Sequence, residues 1–185
     1  MDELVQAAMA KWPHVPDCYG WLGLDARGRW WMRDEQTQHR GPFAGAGSTA
    51  ASKGSWLQHK PLIAFIHRNY GVDERGCWYF QNGPQRVFVE LEKAPYVWRL
   101  SQPDALRAHT GTLTRCDRLY VDEDGGVYAA GLLGCGIVHT QDMHQVAEWI
   151  EAGIWQPETK TLREIQQREG YVISPQALVG TNVIQ

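Results

Sequence analysis

Apolar residues fall into short blocks of two periods, one suited to strands and one to helices. From Ser55 to Tyr70 the apolar positions Trp56, Leu57, Leu62, Ile63, Phe65 and Ile66 share one side of a helix, with Pro61 suited to a first turn and Gly71 to the stop. Thr140 is placed to cap a second helix that buries Met143, Val146, Ala147, Trp149 and Ile150 and ends at Gly153. Asp2 to Lys11 is expected to be helical, stopping before Pro13. Residues 12–18 form an extended lead-in, and Thr159 to Arg168 a polar surface helix. Strands are expected over Trp21–Leu24, Arg86–Leu91, Tyr96–Leu100 and Arg118–Val121, with Glu92 to Pro95 turning between the second and third. Gly41 to Ser55, rich in Gly, Ala and Ser, reads as a flexible loop, and the tail after Ser174-Pro175 as a docked strand or a loose end.

One pattern occurs three times: Asp25-Ala26-Arg27-Gly28-Arg29-Trp30-Trp31, Asp73-Glu74-Arg75-Gly76-Cys77-Trp78-Tyr79 and Asp122-Glu123-Asp124-Gly125-Gly126-Val127-Tyr128. The copies start 48 and 49 residues apart. An Asp can bond the backbone two residues on and open a turn, and a Gly takes the positive-φ position that closes it, so each copy is expected to be a β-hairpin corner. A helix pattern follows the first and third copies. The middle copy runs instead into a further turn at Gln81-Asn82-Gly83-Pro84. The expected fold is α+β: repeated antiparallel hairpin/helix units in two intimately packed subdomains. Residues 1–103 hold a helix, hairpins, a second helix and antiparallel strands; residues 104–185 hold a hairpin, a strand, two helices and the tail, with the boundary near Ser101-Gln102-Pro103.

Composition narrows the function classes. A formal net charge of −3 with basic residues spread along the chain disfavours nucleic acid as a partner. The acidic start Met1-Asp2-Glu3-Leu4 does not resemble a signal peptide, and no apolar run approaches a membrane span. Cys18, Cys77, Cys116 and Cys135 lack C-x-x-C spacing and read as free thiols in a reducing cytoplasm. Nine tryptophans, most in or beside expected strands, read first as sheet and core.

Several familiar sites fail on spacing. Lys53 precedes its Gly, so the Gly45–Ser55 region lacks the phosphate-loop order. Asp122-Glu123-Asp124-Gly125 has Gly126 and Leu133 where a calcium loop needs oxygen donors. The seven histidines form no set of three or four metal ligands; His139 and His144 are five apart, and Pro13 and Pro16 break any helical register that would join His14 to Cys18. Neither a metal nor a cofactor is expected. Cys135, between glycines and near His139, is the best candidate nucleophile, although on a strand the two stand well over ~10 Å apart at about 3.3 Å per residue, which favours a buried structural thiol.

The most informative stretch is Trp78 to Leu91. It offers a candidate ligand site of Tyr79, Gln81, Asn82, Gln85, Arg86 and Glu90. On an alternating strand Arg86, Phe88 and Glu90 share one face and Val87, Val89 and Leu91 the other, which would be core. Arg86 and Glu90 pair as ions in the plainer reading. In the functional one Arg86 receives an anion through its planar fork, and Tyr79 stacks a planar ligand.

Lys11-Trp12-Pro13-His14-Val15-Pro16, Gly20 to Asp25, Ile63-Ala64-Phe65-Ile66 and Trp78 to Leu91 resemble an uncharacterised bacterial family classed as a domain of unknown function, over residues 11–100 and more loosely beyond. The order of parts, ending in Val89-Glu90-Leu91-Glu92-Lys93-Ala94-Pro95, is more distantly similar to a second uncharacterised bacterial family. That resemblance implies a duplicated, pleckstrin-homology-like core, a nucleotide-like ligand between the halves and a signalling role. The Gly41–Ser55 loop and the widened Leu91–Lys93 strand end depart from it. The sequence names no reaction. A small-molecule binding or regulatory module, with its ligand near the second hairpin and the junction of the halves, ranks first. A structural protein that binds a protein partner through Trp and Tyr patches ranks second, and a thiol enzyme using Cys135 third.

Overall fold

The structure, a computed structural model, describes residues 1–181. The chain divides into two units. Met1–Asp25, Arg29–Glu92 and residues 172–181 form the first; Ala26–Gly28 and Lys93–Tyr171 form the second. Each holds one sheet with helices, so the fold class is α+β. The division falls at Glu92/Lys93, and Ser101-Gln102-Pro103 instead lies at a hairpin inside the second sheet.

The first unit runs α1 (Glu3–Lys11), β1 (Cys18–Leu24), β2 (Trp30–Met32), α2 (Glu35–His39), α3 (Ala50–Lys53), β3 (Ser55–Trp56), α4 (Lys60–Arg68), β4 (Tyr70–Val72), β5 (Trp78–Asn82) and β6 (Gln85–Leu91). Its sheet has the order β3-β2-β1-β6-β5-β4. Only the central pair, β1 with β6, is parallel. Central strands are covered on both faces, and β6 accordingly buries Phe88, Val89, Glu90 and Leu91 in succession, so the core is not confined to its valine face. The expected helix over Ser55–Tyr70 is shorter, because Ser55–Trp56 pairs with β2 and Gly71 lies in β4. Ile66 is its buried residue, and Phe65 meets Phe80 edge to face at 5.4 Å.

The second unit runs β7 (Tyr96–Gln102), β8 (Ala105–Ala108), β9 (Leu113–Arg115), β10 (Arg118–Val121), β11 (Val127–Gly131), β12 (Gly134–Val138), α5 (Met143–Glu151), β13 (Glu158–Thr159) and α6 (Leu162–Glu169). Its sheet has the order β13-β10-β11-β12-β7-β8-β9. The strands on either side of the Glu92–Pro95 turn, β6 and β7, belong to different sheets. Trp98 lies over Gly136, where a Cβ would come within 2.5 Å of the indole nitrogen, and its Nε1 donates to the Ala129 carbonyl at 2.7 Å. Val127, Val138, Val146, Trp149 and Trp155 close a core beneath α5. Ala147 and Ile150, expected on its buried face, are exposed, because the buried stripe is only Val146 and Trp149 wide. After α6 the chain returns to the first unit as α7 (Pro175–Thr181), a helix where a strand or loose end was expected.

The three D-x-x-G segments fold alike. Asp25, Asp73 and Asp122 each donate their N–H to the carbonyl four residues on at 2.9–3.0 Å, and Gly28, Gly76 and Gly125 close the turns at φ of +76° to +79°. Each Asp side chain also accepts a backbone N–H four residues on, from Arg29, Cys77 and Gly126. This is a three-residue hairpin loop with its glycine in the left-handed region.

The Gly41–Ser55 segment is ordered, against expectation. Arg33, fully buried, donates Nε to Ser52 O at 2.8 Å, Nη1 to Gly20 O at 3.2 Å and Nη2 to Gly41 O at 2.6 Å. Phe43 packs on the bare backbone of Gly23, whose missing Cβ would sit 2.5 Å from the ring. Thr49 and Ser52 form a reciprocal capping box on α3. One buried cation and one ring thus hold a stretch whose small residues have no core of their own.

Candidate functional site

The strand register splits the six expected site residues between the two faces of the first sheet. Tyr79 pairs with Phe88 and Gln81 with Arg86, so these four, and Glu90 two residues on, share one face; Asn82 and Gln85 pair on the other. Gln81 is buried, donates its amide to Gly83 O at 2.9 Å, and has Oε1 without a hydrogen-bond partner among the described residues. Gln85 donates to Pro16 O at 3.0 Å. Tyr79 and Arg86 are brought together.

These two line a cleft of about 530 Å³ with Asp17, Tyr19, Asp73, Glu74 and Arg75. The lead-in to β1 supplies Asp17, the start of β1 Tyr19, and the second D-x-x-G turn its three charged residues. Tyr19 stacks on Phe88 with ring centroids 4.6 Å apart and planes within 2°, and Tyr79 meets the same ring at 5.7 Å. The two guanidiniums lie on this aromatic platform. Arg75 is 5.6 Å from the Phe88 centroid, and Arg86 is 5.5 Å from Phe88 and 5.8 Å from Tyr79.

The expected Arg86–Glu90 ion pair is absent. Arg86 grips Asp17 instead, Nε to Oδ1 at 3.0 Å and Nη2 to Oδ2 at 2.9 Å, and this bond is the main cause that raises its pKa. Glu90, four residues along the strand, accepts from Ser174 Oγ at 2.5 Å and from the Gln176 N–H at 3.0 Å at the start of α7. Burial raises the Glu90 carboxyl, while Ser174, Gln176 and the Arg33 charge pull it back down. Arg75 is pushed up first by its 3.5 Å contact to the Tyr19 hydroxyl and then by Asp73 at 2.9 Å. Burial works to raise Asp73, but the Cys77 and Arg75 N–H groups and the Arg75 side chain hold it below its ordinary value.

The planar fork of Arg86, expected to receive an anion, is therefore filled by a carboxylate of the protein. With Asp17, Asp73 and Glu74 against Arg75 and Arg86, the lining carries one excess negative charge. Sequence reasoning missed Asp17 because nothing in its local pattern distinguishes it; parallel pairing of β1 with β6 brings it 69 residues across to Arg86. It also passed over Tyr19, and it read Asp73, Glu74 and Arg75 only as a turn.

Cys135 is not arranged as a nucleophile. It is 1% exposed inside β12, and burial drives its thiol well above the ordinary range, against what thiolate chemistry requires. His139 accepts the Gln141 N–H through Nδ1 at 3.1 Å, at the turn before α5. Among the described residues no group of three His, Cys, Asp or Glu is placed to hold a metal ion, and no helix is long and apolar enough to cross a membrane.

The cleft thus belongs to an α+β protein whose second hairpin carries an arginine–aromatic platform. Residues 1–182 match the model of the DUF2944 family, described as "Protein of unknown function (DUF2946)", and the chain belongs to that family. The match extends past the residues 11–100 on which the resemblance to an uncharacterised family chiefly rested. No match is found among curated proteins. Among solved structures, the chain is similar to a DUF1285 family protein from Silicibacter pomeroyi DSS-3, at 11% identity and a TM-score of 0.48, over 80% of this chain and 84% of that one. It is also similar to a DUF1285 family protein from Shewanella baltica OS155, at 17% identity and a TM-score of 0.44, over 69% of this chain and 91% of that one.

Proposed function

We propose that the protein is a small-molecule binding module whose ligand lies on the Tyr79–Arg86 platform at the second hairpin. The observation that carries this reading is the packing of two guanidiniums and two tyrosines around the buried Phe88 ring, all four of them lining one open cleft. Guanidinium and phenol faces both favour a flat π-system, whichever ring it is. The excess negative charge of the lining opposes a polyanion, so the ligand is a neutral planar heterocycle of nucleobase or nucleoside type rather than a nucleotide polyphosphate. Glu74 at the turn offers an acceptor for ring N–H groups. The four cysteines carry no disulfide, which supports a reducing cytoplasm as the place of action.

Titration calorimetry with adenosine, AMP and ATP tests the reading. Adenosine should bind, AMP more weakly and ATP weakest, and Tyr79→Ala should weaken adenosine by about 1–3 kcal/mol, the usual worth of one stacked base. Absence of heat and of any shift in the Tyr79 ring resonances with adenosine, guanosine, cytidine and uridine would sink it. So would ATP binding tightest of the adenine series.

A further inference from the structure

On the opposite face of the same sheet, α4 and the strands enclose a second cleft of about 270 Å³. Leu22, Phe80 and Val87 form its floor, and Leu62 and Ile66 of α4 its wall. We propose that this cavity is a second small-molecule site, taking an uncharged, flat, apolar ligand of bicyclic size with one hydrogen-bonding group at its outer end.

Charge and size set the ligand class. No charged residue lines the cavity, so a charged group placed there would lose its hydration without a partner. A cavity of about 150 Å³ holds benzene. About 270 Å³ therefore suits a body of roughly ten heavy atoms, two fused rings or a short branched chain. Access is open, because Trp21 and Met32 at the rim are 47% and 50% exposed. Met32 can adjust its three rotatable bonds to the edge of a flat ring. Asn82 supplies the polar end. It is exposed at the rim, and its side-chain amide is uncommitted among the described residues. This proposal stands apart from the platform at Tyr79, since Asn82 and Phe80 point away from Tyr79 across the sheet.

Indole and indene, isosteres with and without an N–H donor, are suitable probes. Indole should give a saturable, single-site shift of the Met32 methyl resonance, and this should survive saturation with adenosine. Leu62→Trp, which fills the cavity from the helix side, should abolish it. Met32→Trp plugs the rim at an exposed position and gives the same answer by calorimetry if the first variant folds poorly. Asn82→Ala should weaken indole about three- to tenfold and leave indene unchanged, in keeping with one hydrogen bond. The proposal is overturned if indole causes no saturable shift up to millimolar concentration. It is equally overturned if both filled variants bind as the parent does, or if Asn82→Ala affects the two probes alike. Met32 shifts that grow with protein concentration in the absence of any probe would assign this face to a second copy of the chain and overturn it as well.

Discussion

The Tyr128 hydroxyl donates to Asp122 Oδ2 at 2.8 Å, from six positions beyond the aspartate that opens the third hairpin. In the first hairpin Trp31 Nε1 makes the equivalent contact to Asp25 Oδ2 at 3.0 Å, again six positions on. The aromatic at this position thus closes the turn it follows. In the middle copy the residue in that place is Tyr79, and Asp73 pairs with Arg75 instead. The departure of the second hairpin is therefore chemical as well as sequential: its aromatic is released from the turn and lines the cleft.

Removal of the Tyr128 hydroxyl should be costly. Both residues are buried, and a hydrogen bond to a charged group contributes about 1.5–3 kcal/mol. Tyr128→Phe is expected to lower stability by that amount in urea unfolding. Trp31→Phe, at a half-buried site, should cost about 1 kcal/mol. Equal urea midpoints for Tyr128→Phe and the parent would contradict the assigned role.

Arg33 should be indispensable to the Gly41–Ser55 segment. Arg33→Met strands three carbonyls that lose their donor, with a loss on the order of 3 kcal/mol or more. Arg33→Lys should rescue little, because one ammonium on a flexible stem cannot reproduce a planar fork. Limited proteolysis should cut residues 41–55 faster in both variants. A segment cut at the parent rate in Arg33→Met would show that Phe43 and the α3 cap hold it unaided.

Asp17 should act on ligand choice more than on stability. Its pair with Arg86 is partly exposed, with side-chain accessibilities of 25% and 41%, so its loss should cost no more than about 1 kcal/mol. Asp17→Ala removes one negative charge and frees a guanidinium fork. AMP should then bind more tightly than adenosine, a reversal of the parent order. An unchanged order in this variant would place the ligand away from Arg86.

The local features were legible and the long-range pairings were not. The three turns could be read because an Asp and a positive-φ Gly act within five residues. Helix α6 was expected as a polar surface helix over Thr159–Arg168, and Thr161 and Glu164 cap each other at its start. Arg86 was singled out, but its partner was not, since strand alternation says which residues share a face and nothing about which strand lies alongside. Glu90 looked like the natural mate of Arg86; only the chain returning at Ser174 and Gln176 takes it away. Gly41–Ser55 looked loose for the same reason: its order comes from Arg33, outside the segment, and from the bare backbone of Gly23.

His67 gives the first unit a defined response to acid. Trp30 Nε1 donates to His67 Nε2 at 2.9 Å, which fixes that nitrogen as an acceptor and the ring as neutral. Burial pushes the imidazole down from 6.5 to about 4. The sign follows from where the proton binds first. As pH falls below about 6.5, the unfolded chain takes up a proton that the folded chain refuses until about pH 4. His67 thus contributes nothing to the pH dependence above that window, lowers stability progressively from about 6.5 to about 4, and adds no further slope below it. His67→Gln keeps a hydrogen-bonding side chain without the titration, so its urea midpoints should fall less between pH 7 and pH 4.5 than those of the parent. The imidazole carbon resonances of His67 should stay at their neutral values until the pH nears 4. A titration midpoint near 6.5 for those resonances would mean that the ring accepts a proton freely in the fold, and the Trp30 contact could not then be holding Nε2 as an acceptor.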